Sequence, residues 1–404
     1  MLKFKPELLC PAGDLNRLKA AIQYGADAVY LAGLEFGMRT SPNNFSFEDL
    51  AYGVKYSHDN NVKVYLTCNT LPHNNEIARL PAFLERAADC GIDALIIADM
   101  GVLSLAKKYA PNVDIHISTQ AGIVNYHTAS CFYDMGAKRV VLARELPIED
   151  IAEIKAKIPK GLELEAFIHG AMCMSFSGRC LISCYLTGRD ANRGDCAQPC
   201  RWKYYVTEEK RPGEYFPIEE NDKGTHLFNA QDMCMIEYIP QLVDAGIDSF
   251  KIEGRAKSVY YTAVTANAYR CAIDWHMNND TSLPQWIIDE TDKVSHRAYC
   301  TGFYFGQPHQ EYENGGYVRN YEVIAQVEDY RDGRLYLSQR NKFLDGDIAD
   351  LLQPGKQSEE IAMLDMQNEN GEKIESAPHA AMAVSISFDH PVEKGSMIRR
   401  PKKV

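Results

Sequence analysis

The sequence predicts a TIM-like (β/α)8 barrel with an inserted β-hairpin and a cysteine-rich loop, plus a small C-terminal β-barrel domain. Three observations carry this: a helix-to-strand signature recurring over the first 255 residues, short β-type runs after about Tyr321, and five cysteines crowded between Cys173 and Cys200.

The signature is a glycine followed by an apolar, partly β-branched run, at Gly25–Ala32, Gly91–Ala98, Gly136–Ala143 and Gly246–Glu253. Glycine accepts the left-handed conformation at a helix C-terminus, and such a run suits a strand buried on both faces of a parallel sheet. An amphipathic stretch from Leu15 to Ile22, capped by Asp14, precedes the first of them. Further strand candidates are Glu7–Cys10, Lys63–Thr67, Asp114–Ser118, Glu163–Ile168 and Leu227–Asn229. Eight or nine such strands favour a closed barrel over an open doubly wound sheet.

After the cysteines, Tyr204–Glu208 and Glu214–Ile218 read as the inserted hairpin, turning through Lys210 to Gly213. Val259–Met277 reads as a helix, with another near Pro284–Ala298. The C-terminal runs are Glu322–Val327, Arg334–Ser338, Ile361–Met366, Ala381–Ser387 and Ser396–Ile398, punctuated by Gly333, Gly371 and Gly395. The barrel is placed at residues 1–310, a linker at 311–320 and the β-domain at 321–404.

Of the 404 residues, 46% are hydrophobic and 24% charged, the balance of a globular protein with a sizeable core. The apolar runs are too short to span a bilayer, and Met1 to Pro6 contains no apolar signal core. A cytoplasmic location is expected, with no membrane partner and with cysteines present as thiols or ligands rather than disulfides. A net charge of −12 argues against a global positive grip on nucleic acid, although Arg189, Arg193, Arg201 and Lys203 make a local basic stretch beside the cysteines. No dinucleotide-binding, P-loop, zincin or nucleophile-elbow motif occurs.

The crowded cysteines are spaced C-x6-C-x3-C-x11-C-x3-C, where an even spread of the chain's twelve would place fewer than one in such a window. No C-x-x-C pair occurs, which weakens a zinc ribbon or a thioredoxin-type redox pair. An iron–sulfur cluster tolerates looser spacing, because its thiolates come from separate loop turns around a larger body. Zinc and purely structural thiols stay open as alternatives. Cys184 follows the apolar Leu181 and Ile182 and is the best candidate for a packing residue. Because Glu163–Ile168 runs into Cys173, the cluster would sit at the C-terminal face of the barrel, where catalytic groups are carried.

The run Glu165-x-Phe167-x-x-Gly170-Ala171-Met172-Cys173-x4-Gly178-x-Cys180-x-Ile182-Ser183 resembles the signature of the collagenase-like peptidase family, U-32, and the likeness extends from Glu7 to the C-terminal β-domain. Despite the peptidase label, the resemblance implies an oxygen-independent hydroxylase of tRNA, ribosomal RNA or a quinone ring. It also implies a 4Fe–4S cluster as cofactor and prephenate as hydroxyl source and co-substrate. The length and the added β-domain are most similar to the tRNA branch, which makes 5-hydroxyuridine at the wobble uridine. Carried over, the metal ligands fall on Cys173, Cys180, Cys196 and Cys200.

Strand ends supply Gln120, Arg144, His169, Glu253 and Arg255. Prephenate has two carboxylates, and the guanidinium fork suits carboxylate capture, so Arg144 and Arg255 are expected to bind it. Rim ion pairs with Glu145 or Glu253 are the competing reading. His169 could act as general acid or base, and Gln120 and Glu253 are further catalytic candidates. Cys10 and Cys68 also lie at strand ends, where packing is the expected role. Two other functions compete: peptide hydrolysis, for which Cys173 with His169 is the only local nucleophile pairing, and a non-catalytic scaffold stabilised by its metal.

Overall fold

The structure, a computed structural model, describes residues 4–38, 44–173, 175–176, 179–202, 205–206, 216–217, 231–278, 281–308 and 317–402. Eight parallel strands close a barrel. They are β1 (Glu7–Pro11), β2 (Ala28–Ala32), β3 (Lys63–Cys68), β4 (Ala94–Ile97), β5 (Asp114–Ile117), β6 (Arg139–Val141), β7 (Glu163–Ala171) and a closing strand, Ser249–Ile252. Each pairs with the next, and the closing strand pairs with both β7 and β1. The candidate strand Leu227–Asn229 lies outside the described residues, as does much of the linker.

The four signature glycines all hold positive φ, at 103°, 80°, 100° and 79° for Gly25, Gly91, Gly136 and Gly246. Two residues after three of them stands an aspartate with a second task. Asp27, Asp93 and Asp248 accept the backbone N–H of Leu8, Val64 and Leu164, each on the neighbouring strand, at 2.7 to 2.8 Å. The carboxylate thereby satisfies an N–H at the start of that strand and ties adjacent βα units together. Each also meets a basic side chain from a helix: Arg270, His58 and Lys155 respectively.

Helices cover the barrel, and their apolar faces form with the strands one continuous core. Inside, Leu9, Ala28, Tyr30, Tyr65, Ala94 and Ile96 make a small packed layer. Below the cavity the interior also holds a cluster of buried charges. Arg139 bonds Glu7 at 2.6 Å, Glu163 at 2.7 Å and Glu165 at 3.2 Å, and Lys251 bonds Glu165 at 2.6 Å. Burial pushes the Glu7 carboxyl upward, but Arg139, Tyr65 and Ser249 together outweigh it and hold the group below its ordinary value.

Beyond its barrel register, β7 pairs antiparallel with Asp232–Cys234, which pairs in parallel with Tyr299–Cys300. The described parts of the expected hairpin, Tyr205–Val206 and Phe216–Pro217, are paired antiparallel. The helix anticipated near Pro284–Ala298 spans only Gln285–Asp292, and Tyr299 has joined the sheet.

The C-terminal domain is a seven-stranded antiparallel sheet with a separate two-strand ribbon, the form taken by the expected small barrel. It includes Ile348–Leu352, a strand the sequence pattern did not single out. The domain docks on the barrel's outer helices through polar contacts. Tyr24 donates to the Leu352 carbonyl at 3.2 Å, the Asn267 side chain accepts the Gly355 N–H at 2.7 Å, and the fully buried Arg399 bonds Glu290 at 2.6 Å.

Candidate active site at the C-terminal end of the barrel

A cavity of about 330 Å³ opens at the C-terminal end of the strands, under the cysteine-rich loop. Cys173, Cys180, Cys196 and Cys200 line it, together with Gln120, Arg144, Glu253 and Arg255. Cys184, in the helix Ile182–Thr187, is exposed and does not line the cavity. Four thiols from separate turns around one cavity are chemically suited to a soft metal centre. Among the described residues no three His, Cys, Asp or Glu side chains converge closely enough to hold a metal ion, so the ligand set is carried into the proposal below.

Specific bonds tie the loop to the barrel and brace it internally. Arg179 Nε donates to the Gln120 carbonyl at 2.7 Å, and Asn192 exchanges two hydrogen bonds with the Cys180 backbone, at 3.1 and 3.3 Å. Ser183, wholly buried, accepts the Ala197 N–H at 3.0 Å. Gly170 holds φ +103°, and a Cβ there would meet the Glu253 carbonyl at 2.4 Å. The signature glycine thus lets β7 and the chain at Glu253 approach closely just below the cysteines.

Arg144 lies over the Phe167 ring at 4.4 Å, with one Nη donating to the Ala171 carbonyl at 2.9 Å. Its Nε is buried without a partner, and no carboxylate pairs with the guanidinium among the described residues. Arg255 donates to Thr67 Oγ1 at 3.1 Å and to the Met38 carbonyl. Gln120 is 7% exposed and accepts from the Ser118 hydroxyl at 3.1 Å, while Glu253 is 6% exposed.

His169 lies elsewhere. Strand alternation would put Glu165, Phe167 and His169 on one face, but the pairing with the closing strand shifts between Lys251 and Ile252. Phe167 lines the cavity, whereas His169 packs among the rings of Tyr261, Tyr269 and Tyr299. Burial, aided by His296 and Lys257, pushes its pKa down to about 3, and Tyr269 OH lies 3.3 Å from Nδ1. A neutral, caged imidazole outside the cavity is not placed for the acid–base role that its position in the sequence suggested. The same placement removes the Cys173–His169 pairing on which peptide hydrolysis depended. Cys10 and Cys68 are buried in the main core, as packing residues are.

The profile of Peptidase family U32 matches residues 13–314, and that of the Peptidase family U32 C-terminal domain matches residues 319–399. The chain belongs to peptidase family U32. Among its relatives, tRNA hydroxylation protein P1 of Bacillus subtilis (strain 168) is 35% identical over 98% of this chain and 95% of that relative. The tRNA hydroxylation protein P of Escherichia coli (strain K12) is 36% identical over 96% and 95%. A protein named Collagenase from Porphyromonas gingivalis (strain ATCC BAA-308 / W83) is 35% identical over 74% of each chain. Among the described residues of this U32 protein, no helix is long and apolar enough to cross a membrane.

The U32 cavity also holds residues that the sequence reading passed over: Asn69, Ser118 and, on its floor, Lys251. Lys251 carried a visible signal, being the one charged side chain within the apolar run Ser249–Ile252. Asn69 and Ser118 carried none, since polar residues after a strand are ordinary loop chemistry.

Proposed function

We propose that this chain hydroxylates the wobble uridine of tRNA to 5-hydroxyuridine without oxygen, using prephenate as hydroxyl source and a 4Fe–4S cluster on Cys173, Cys180, Cys196 and Cys200. The observation that carries the reading is that these four thiols, Arg144 and Arg255 line one cavity at the catalytic end of the barrel. Its setting is a chain that aligns almost end to end with relatives named for tRNA hydroxylation.

Arg144 lines the cavity with its guanidinium 4.4 Å over the Phe167 ring, a placement suited to receiving a carboxylate. Arg255, fixed by Thr67, is the second carboxylate anchor. With Ser118 on its oxygen, the Gln120 amide has its NH2 available to a uracil carbonyl. The Glu253 carboxylate is the base for the proton leaving C5 of the ring. The cluster, when bound, supplies an electrophilic iron centre beside these groups. In the cysteine-rich segment above the cavity, Phe176, Leu181, Tyr185, Leu186 and Trp202 are all exposed, and Arg189 lines the cavity. Unstacked RNA bases are held by such aromatic surfaces with arginine between them, which suits an anticodon loop whose wobble base has turned inward.

The test is anaerobic purification with visible absorption and iron and sulfide content. It is followed by nucleoside mass spectrometry of tRNA incubated with prephenate. A coloured protein that converts the wobble uridine only when prephenate is present is the expected result. A colourless protein, or unchanged uridine with the cluster loaded, overturns the reading.

A further inference from the structure

Lys251 stands on the closing strand at the floor of the cavity, 4% exposed. Its Nζ is 2.6 Å from Glu165 Oε1, 4.5 Å from the Tyr30 ring centroid and 5.5 Å from that of Phe167. The guanidinium of Arg144 lies against the same Phe167 ring, with its buried Nε unpartnered. A lysine and a carboxylate receptor therefore share one aromatic wall of one cavity. Glu165 is wholly buried and is itself bonded by Arg139. Burial, reinforced by Arg139 and Arg144 and opposed by Glu165, leaves the Lys251 pKa below its ordinary value. Desolvation and neighbouring cations are the two devices that make a lysine amine nucleophilic near neutrality.

We propose that Lys251 is an imine-forming lysine, whose amine condenses with the ketone of an α-keto acid held through its carboxylate by Arg144. The ammonium passes a proton to Glu165, and the freed nitrogen pair attacks the carbonyl carbon. Glu165 returns that proton to the oxygen, then takes a second proton from the nitrogen and passes it to the resulting hydroxyl, which leaves as water while the C=N bond forms. The net change is ammonium plus ketone to iminium plus water, with no oxidant or reductant. An iminium would fix the acid in one orientation and turn its keto arm into an electron sink. The choice of prephenate, which has an α-keto acid arm, rests on the function proposed above; the chemistry of Lys251 does not.

The test uses the full-length, anaerobically purified protein with prephenate, and separately with phenylpyruvate, each treated with sodium cyanoborohydride and mapped by peptide mass spectrometry. The expected result is one reduced adduct, on the peptide containing Lys251, absent in Lys251→Arg. Mapping the unaltered protein locates the adduct even if that variant folds poorly. No adduct, or equal labelling of other lysines, overturns the inference. Wobble-uridine hydroxylation is measured on the same preparation. Prephenate-dependent hydroxylation without an adduct removes the imine and leaves the proposed function, whereas an adduct without hydroxylation does the reverse.

Discussion

Arg144 and Arg255 are held in different ways, and their variants should differ accordingly. Arg144 rests on Phe167 at the wall of the cavity, so Arg144→Ala removes a charge-assisted contact from a partly desolvated site. Such contacts contribute about 1.5–3 kcal/mol, which corresponds to a rise of about 10- to 150-fold in the prephenate KM. Arg255 is also a brace for Thr67 and the Met38 carbonyl, so Arg255→Ala should lower melting temperature as well as affinity. If both variants leave the prephenate requirement unchanged, neither arginine binds it. His169 supplies a prediction of opposite kind. Its folded pKa of about 3 lies below the unfolded value of about 6.5, so the unfolded chain takes up the proton first. The associated stability is complete above about pH 6.5 and is lost as pH falls toward 3, with a limiting slope of about 1.4 kcal/mol per pH unit. His116, buried in the barrel with its pKa also well below normal, acts with the same sign. His169→Gln should therefore flatten part of the fall in stability between pH 6.5 and 4.5 while sparing hydroxylation. A large loss of kcat at unchanged stability would return His169 to the chemistry.

At the scale of elements, the barrel strands were legible wherever the signal was local. A glycine at a helix C-terminus and the apolar run after it are chemistry of consecutive residues, and Gly25, Gly91, Gly136 and Gly246 all sit as that chemistry requires. The partners of Asp27, Asp93 and Asp248 were not legible, because each bonds an N–H on a strand 19, 29 or 84 residues away in the chain. Nor was the orientation of His169, which depends on a register shift against the closing strand. The cysteine loop raises a separate expectation. Tyr185 is 89% exposed on the helix Ile182–Thr187, and Trp202 is 46% exposed. Tyr185→Ala and Trp202→Ala should each weaken tRNA binding by about 1–3 kcal/mol in a fluorescence titration, with iron content unchanged. Unaltered affinity in both would show that the RNA lies on another face.

Across the whole molecule, the two domains are joined by a buried charge. Arg399 Nη2 bonds Glu290 at 2.6 Å and Ser358 Oγ at 2.7 Å, with no exposed surface. Removing Arg399 leaves the buried Glu290 with only Lys293, at 3.0 Å, and the Ser358 hydroxyl, at 2.9 Å, so the cost falls below the roughly 3–5 kcal/mol of a fully unpaired buried charge. Arg399→Ala should split one calorimetric unfolding transition into two, the earlier belonging to the detached sheet; a single transition at the original temperature would count against this coupling. The sequence by itself determined that there is a barrel, that a β-domain follows it, and that the cysteines hang from a strand at its catalytic end. Those features follow from periodicity, glycine conformation and the family signature, all written in neighbouring residues. The tertiary structure alone decided which side chains share the cavity. It gathered Arg144, Gln120, Glu253 and Arg255 around the four thiols, turned His169 outward and left Cys184 exposed. It also put Lys251 beneath them all. Barrel closure and strand register set those positions, and both arise from pairings between segments far apart in the chain.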